Sequence, residues 1–106
     1  MSLKKYRTDD YHFNMVVLKG TYNFYKEKYP EGCATMNWLI CVVPWGNPDA
    51  VFTVLRFLHD GIISGGSVRL NWRYDGNAQA DVNILKELYN EITKRAESYL
   101  ARRVEL

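Results

Sequence analysis

With 106 residues, 47% of them hydrophobic and 25% charged, the chain has the composition of one globular domain whose core needs neither disulfide nor metal, which excludes disordered and disulfide-stapled classes. A formal charge of +2 is too small to point to a polyanionic partner, although Lys4, Lys5 and Arg7 make a basic start and Arg102 and Arg103 a basic end. The longest apolar run, Trp38 to Trp45, falls far short of a membrane span, and MSLKKYRTDD turns acidic where a secretory signal needs an apolar core; a cytoplasmic protein is expected.

The N-terminal third reads two ways. As a helix, Tyr11, Met15, Leu18, Tyr22, Tyr25 and Tyr29 form an unbroken stripe ended by Pro30. As strands, YHFNMVVL and TYNFYKEK flank a Lys19-Gly20 turn, and YPEG is a second turn. Propensity favours the hairpin: Tyr, Phe, Val and Thr dominate, Gly20 falls mid-helix, and Phe13, Val17 and Phe24 would make a second apolar stripe on the opposite helix face.

TMNWLICVVPW then reads as a central strand buried on both faces. Its extended form would hold Cys33 and Cys41 about 26 Å apart, well beyond the ~7 Å that a disulfide permits. A helix is expected from about Pro48 to Asp60. Asn47 would cap it, Pro48 would occupy its first position, Asp49 would meet its positive end and Gly61 would stop it. SGGSVRLNWRYDG follows as a strand, with Val68, Leu70, Trp72 and Tyr74 alternating with Ser67, Arg69, Asn71 and Arg73. The last element is a helix from about Ala78 to Arg103, carrying Val82, Leu85, Tyr89, Ile92, Ala96 and Tyr99 at threes and fours. The expected class is therefore α+β, a small mixed sheet of about four strands with two helices in the order β-β-β-α-β-α; the alternative order is α-β-α-β-α.

Little in this frame carries chemistry. PWGN lies at a helix start, a natural anion site, yet has neither GxGxxG nor GxxxxGK[ST] around it, so a capped turn is the preferred reading. There is no GxSxG, and His59, Asp60 and Ser64 form no recognisable triad. Two cysteines without CxxC spacing, with His12 and His59 remote, give no metal pattern, and no cofactor is expected. Asp9 and Asp10 read as a solvated approach to the first element. Arg69 and Arg73 share a strand face that could contact an anion. Trp38, Trp72, Tyr74 and Tyr89 could line an aromatic pocket, though core filling explains them as simply. Phe52 and Phe57 border a narrow polar stripe on the Pro48 helix, and Tyr99, Leu100 and Val104 would overhang a short sheet, so a homodimer is expected.

The run from Leu39 to Asp81, with a buried strand, a turn, a helix and then GGSVRLNWRYD, resembles the central part of STAS-like domains, bacterial regulators. The resemblance covers less than half the chain. It implies a partner among switch kinases, phosphatases or sigma-factor antagonists. The family's Ser or Thr before the first helix is replaced here by Asn47 or Asp49, so its phosphoswitch is not implied. The expected function is a non-enzymatic regulatory or protein-interaction domain that meets its partner through Trp45, Asn47, Phe52 and Arg56. The alternative is a small-molecule-binding protein or enzyme using the aromatic pocket.

Overall fold

Asp10 opens the first helix: its Oδ1 accepts from the Phe13 N–H at 3.2 Å and its carbonyl from the Asn14 N–H at 3.1 Å. The computed structural model describes residues 3–31, 34–69 and 77–104. A short 3-10 turn (Lys4–Tyr6) leads into α1 (Tyr11–Lys28). Next come α2 (Ala34–Asn37), continued by a π-helical turn (Trp38–Val42), and α3 (Ala50–Ile63). The antiparallel strands β1 (Ser67–Arg69) and β2 (Asn77–Gln79) precede α4 (Val82–Val104). The molecule is mostly helical, which corrects the expected α+β class. Among the described residues the four-stranded mixed sheet is replaced by one two-stranded ribbon.

The hairpin expected over residues 11–28 is one helix. Phe13 and Val17 of one stripe and Leu18 and Tyr25 of the other are buried, with Asn14 and Thr21 between them, so the middle of both stripes turns inward over one wide arc while Tyr11 stays exposed and Phe24 half-buried. The second stripe, which argues against a lone helix, is covered because α1 meets α4, the π turn and α3 together. Gly20 sits mid-helix for a packing reason. A Cβ there would lie 2.6 Å from Arg95 Nη1, and Arg95 is held by Glu91 through an Nε contact of 2.7 Å.

The expected central strand is also helical. Met36, Leu39, Ile40 and Val43 are buried while Cys41 and Val42 are exposed, a spacing of three and four hidden within a continuous apolar run. The Val43 N–H reaches back five residues to Trp38 O at 2.9 Å, which widens the turn. Cys33, whose separation from Cys41 was inferred from an extended chain, lies outside the described residues.

α3 begins two residues later than expected and ends three later. Asn47 does not cap it: its Nδ2 donates to Val43 O instead. The helix start is completed from α1, where Asn14 Oδ1 accepts from the Val51 N–H at 3.0 Å. Gly61 is interior to α3 and buried, with Val68 Cγ2 3.0 Å and Leu85 Cδ1 3.1 Å from where a Cβ would stand. The stop lies in SGGS. The Gly66 N–H donates to Gly61 O at 2.8 Å and the Gly65 N–H to Ile62 O at 3.2 Å, with φ of 71° at Gly65 and 103° at Gly66. That pair of bonds is a Schellman cap.

β1 keeps the start of the expected strand and pairs Ser67 with Gln79, Val68 with Ala78 and Arg69 with Asn77. Leu70 to Gly76 lie outside the described residues. Ala78, the expected helix start, belongs to β2; α4 starts after Asp81, whose Oδ1 accepts from the Asn83 N–H at 2.7 Å. α4 packs on both α1 and α3. Its Leu85, Leu88 and Ile92 are fully enclosed, each such burial contributing about 1.5–3 kcal/mol. Tyr99, expected to overhang, lies edge-on to Phe13 with ring centres 5.3 Å apart and shares a 2.7 Å hydrogen bond with His12 Nδ1.

A Lys-Tyr dipeptide on either side of α1 clasps a glutamate of α4. Lys5 Nζ and the Tyr6 hydroxyl reach Glu97 at 2.7 and 2.5 Å. Lys28 pairs with Glu87, to which the Tyr29 hydroxyl also donates at 2.9 Å. The Lys5 and Tyr6 bonds hold the Glu97 carboxyl below its ordinary 4.5, and the Lys28 and Tyr29 bonds do the same for Glu87. Burial, then the bond to Glu97, pushes the Tyr6 phenol up.

Carboxyls lowered by folding contribute stability above their unfolded pKa, and that contribution is lost as pH falls through the folded values. The clasps therefore weaken below the ordinary 4.5. Urea midpoints measured between about pH 5 and pH 3 are expected to fall less steeply in a Glu87→Gln, Glu97→Gln variant than in the parent chain. The difference is small, because both ion pairs are solvent-screened.

Candidate functional site

The turn PWGN is folded by its own backbone. The Trp45 N–H donates to Val42 O at 3.1 Å and the Asn47 N–H to Pro44 O at 3.2 Å, while Gly46 takes φ 86° with open space where a side chain would stand. This reversal turns Trp45 outward, 70% exposed. Opposite it is the first turn of α1, where Tyr11 is 66% exposed and Met15 half-buried. Between the two lies an open groove of about 220 Å³. Asp9, Tyr11 and Met15 form one wall, Pro44 to Pro48 the other, and Asn14 lies between.

Asn14 holds the walls together. Only 2% exposed, it donates through Nδ2 to Thr8 O at 3.0 Å and to Pro48 O at 2.8 Å while its oxygen caps α3. One amide thus joins the segment before α1, the turn and the third helix.

The electrostatics rule out the anion site that a helix start would suggest. The Val51 N–H is already bonded to Asn14, and Asp49 stands at the N-cap. Arg7, a nearby cation, is bound to Asp49 at 3.0 Å and lies 5.4 Å from the centre of the Phe52 ring. Asp9 is the charged residue of the groove, and among the described residues its carboxylate has no hydrogen-bond or ion-pair partner.

Of the partner-binding residues expected from sequence, Trp45 and Asn47 line the groove. Phe52 is half-buried under Arg7, and Arg56 is exposed farther along α3, away from the groove lining. Thus Phe52 and Tyr99, whose expected exposure suggested a homodimer, are both partly covered. Of the expected aromatic pocket, Trp38 packs against the core from the π turn and Tyr89 is itself a core residue of α4, 6.4 Å from the His59 ring. Trp72 and Tyr74 lie outside the described residues, as does Arg73; Arg69 is placed only as a position in β1.

Sequence reasoning does not unite Tyr11, Met15 and Asn14 in one site. Tyr11 and Met15 are legible as the first two members of a helical stripe, but nothing local to Asn14 reveals partners 34 and 37 residues away.

No protein-family model, curated protein or solved structure matches the chain. The likeness to STAS-like domains rests on a strand-turn-helix-strand order. Trp38–Val42, which that order needs as buried strand, is helical, and much of GGSVRLNWRYD lies outside the described residues. No described helix is long and apolar enough to cross a membrane.

Proposed function

We propose that the protein is a non-enzymatic interaction domain whose groove between PWGN and the start of α1 receives an extended segment of a partner protein. The observation that carries this reading is the pair of large aromatic side chains, Tyr11 and Trp45, both exposed and both lining one preformed groove, from α1 and from the turn. Folding gives such rings every incentive to be buried, and exposed aromatic anchors are what interfaces use. The volume, about 220 Å³, is below the ~300–1,000 Å³ usual for an enclosing small-molecule site. The lining has one carboxylate and one phenol but no histidine, serine, cysteine or lysine, a set that suits binding better than acid-base or nucleophilic chemistry.

The test is selection of random peptides displayed on phage against the wild-type protein, with counter-selection against Trp45→Ala. Both Trp45 and Tyr11 are exposed, so their alanine variants keep the thermal midpoint of the parent. Enriched sequences are expected to bind Trp45→Ala about 30-fold more weakly, the loss of one anchor of ~2 kcal/mol. Selection that yields no Trp45-dependent sequence overturns the reading. A solution dimer that Trp45→Ala dissociates would put a second copy of this chain in the groove instead.

A further inference from the structure

Building on the interaction reading, we propose that the groove is selective for an arginine side chain, taken between the Tyr11 and Trp45 rings and paired with Asp9. The sign of the ligand follows from which polar groups the fold has already used. The amide donors of the groove are consumed: the Asn14 amide by Thr8 O and Pro48 O, the Asn47 amide by Val43 O, and the Asn47 and Trp45 backbone N–H groups by Pro44 O and Val42 O. That leaves the Trp45 indole N–H and the Tyr11 hydroxyl at the rims of the two rings. The acceptors are not consumed. The Asp9 carboxylate and Asn47 Oδ1 accept nothing from any described residue.

An acceptor-rich groove with one uncompensated negative charge and two aromatic faces complements a cation that carries several donors. Ring faces attract a cation through their quadrupole, and a guanidinium adds a planar surface for stacking and a fork of N–H groups for two acceptors. Anionic ligands meet the reverse conditions: the Asp9 charge, an α3 start already capped, and an Arg7 already bound to Asp49. Purely apolar segments would leave Asp9 facing a desolvated surface.

Two synthetic probes separate charge from shape: acetyl-Pro-Arg-Pro amide and its citrulline counterpart, which keeps the planar shape and loses the charge. Binding is followed by NMR through the Trp45 indole N–H, assigned by its loss in Trp45→Phe. The arginine probe is expected to shift that signal saturably, with the citrulline probe about tenfold weaker. Asp9→Asn, at an exposed residue without described partners, removes only the ion pair and is expected to weaken the arginine probe about threefold and to leave the citrulline probe unchanged. Equal affinity for the two probes, or an arginine affinity indifferent to Asp9→Asn, overturns the proposal. If neither probe binds while display yields neutral, Trp45-dependent sequences, the arginine assignment fails and the interaction domain stands. If display also yields nothing, both fail.

Discussion

Replacing Asn14 by alanine is expected to lower the unfolding free energy by about 3–4 kcal/mol, and thereby the thermal midpoint by roughly 15 °C or more. The residue is 2% exposed and its amide makes all three of its hydrogen bonds to backbone: Thr8 O, Pro48 O and the Val51 N–H. Alanine removes the bonds but leaves these backbone groups in place, so each becomes a polar group deprived of its partner. That asymmetry makes the loss larger than the net value of three ordinary hydrogen bonds.

Asn14→Asp is the sharper comparison. It keeps an acceptor for the Val51 N–H but sets carboxylate oxygen against two carbonyls, and its buried position raises the pKa of the introduced carboxyl. By linkage such a variant is least stable at neutral pH and recovers as pH falls and the group protonates. Urea unfolding monitored by circular dichroism reads both effects. A midpoint unchanged in Asn14→Ala would show that the three segments do not depend on this amide.

The second large effect is expected at Gly66. Its φ of 103° is one that side-chain-bearing residues avoid, and a Cβ would stand 2.4 Å from Ala80 O, a backbone atom beside the ribbon that cannot swing aside. The same residue is tied down by the Ala80 N–H, which donates to Gly66 O at 2.7 Å. Gly66→Ala is therefore expected to cost about 3 kcal/mol or more, combining backbone strain with displacement of β2.

Gly65, one residue earlier, has φ 71° and no heavy atom within 4 Å of where a Cβ would stand. Gly65→Ala should then cost only the left-handed conformation itself, about 1–2 kcal/mol. Thermal denaturation of the two variants side by side separates conformation from crowding; equal losses would contradict the close approach at Gly66.

What can be read from the chain depends on how far each signal reaches. The final helix is legible because Leu85, Leu88, Ile92 and Ala96 repeat over many turns between polar neighbours, and only its start is misplaced, by the β2 pairing of Ala78. The run around Leu39 misleads because apolar residues on every side hide the period; Val42 is exposed yet reads as core. In α1 the decisive signal lies in a cap rather than in composition. Asp10 three residues before Phe13 is a helix start that outweighs Gly20 and the aromatic content, although beside Asp9 it has the look of a solvated approach to the first element.

Half of the expected contact set, Trp45 and Asn47, reaches the groove, since the turn is local. The opposing wall is invisible in sequence for the converse reason: α1 and the turn meet only through tertiary packing, and the Asn14 amide that joins them looks like any other asparagine in a helix.

The packing of α1 on α4, spanned by the two clasps, also sets when this chain can finish folding. Each clasp joins groups far apart in sequence, with a separation of 91 residues from Tyr6 to Glu97 and of 58 from Tyr29 to Glu87. During synthesis, α1 emerges with a broad apolar arc and waits for the helix that covers it, exposed meanwhile to wrong partners. The aromatic-rich N-terminal third becomes native only once α4 has been made, so synthesis order and assembly order run in opposite directions.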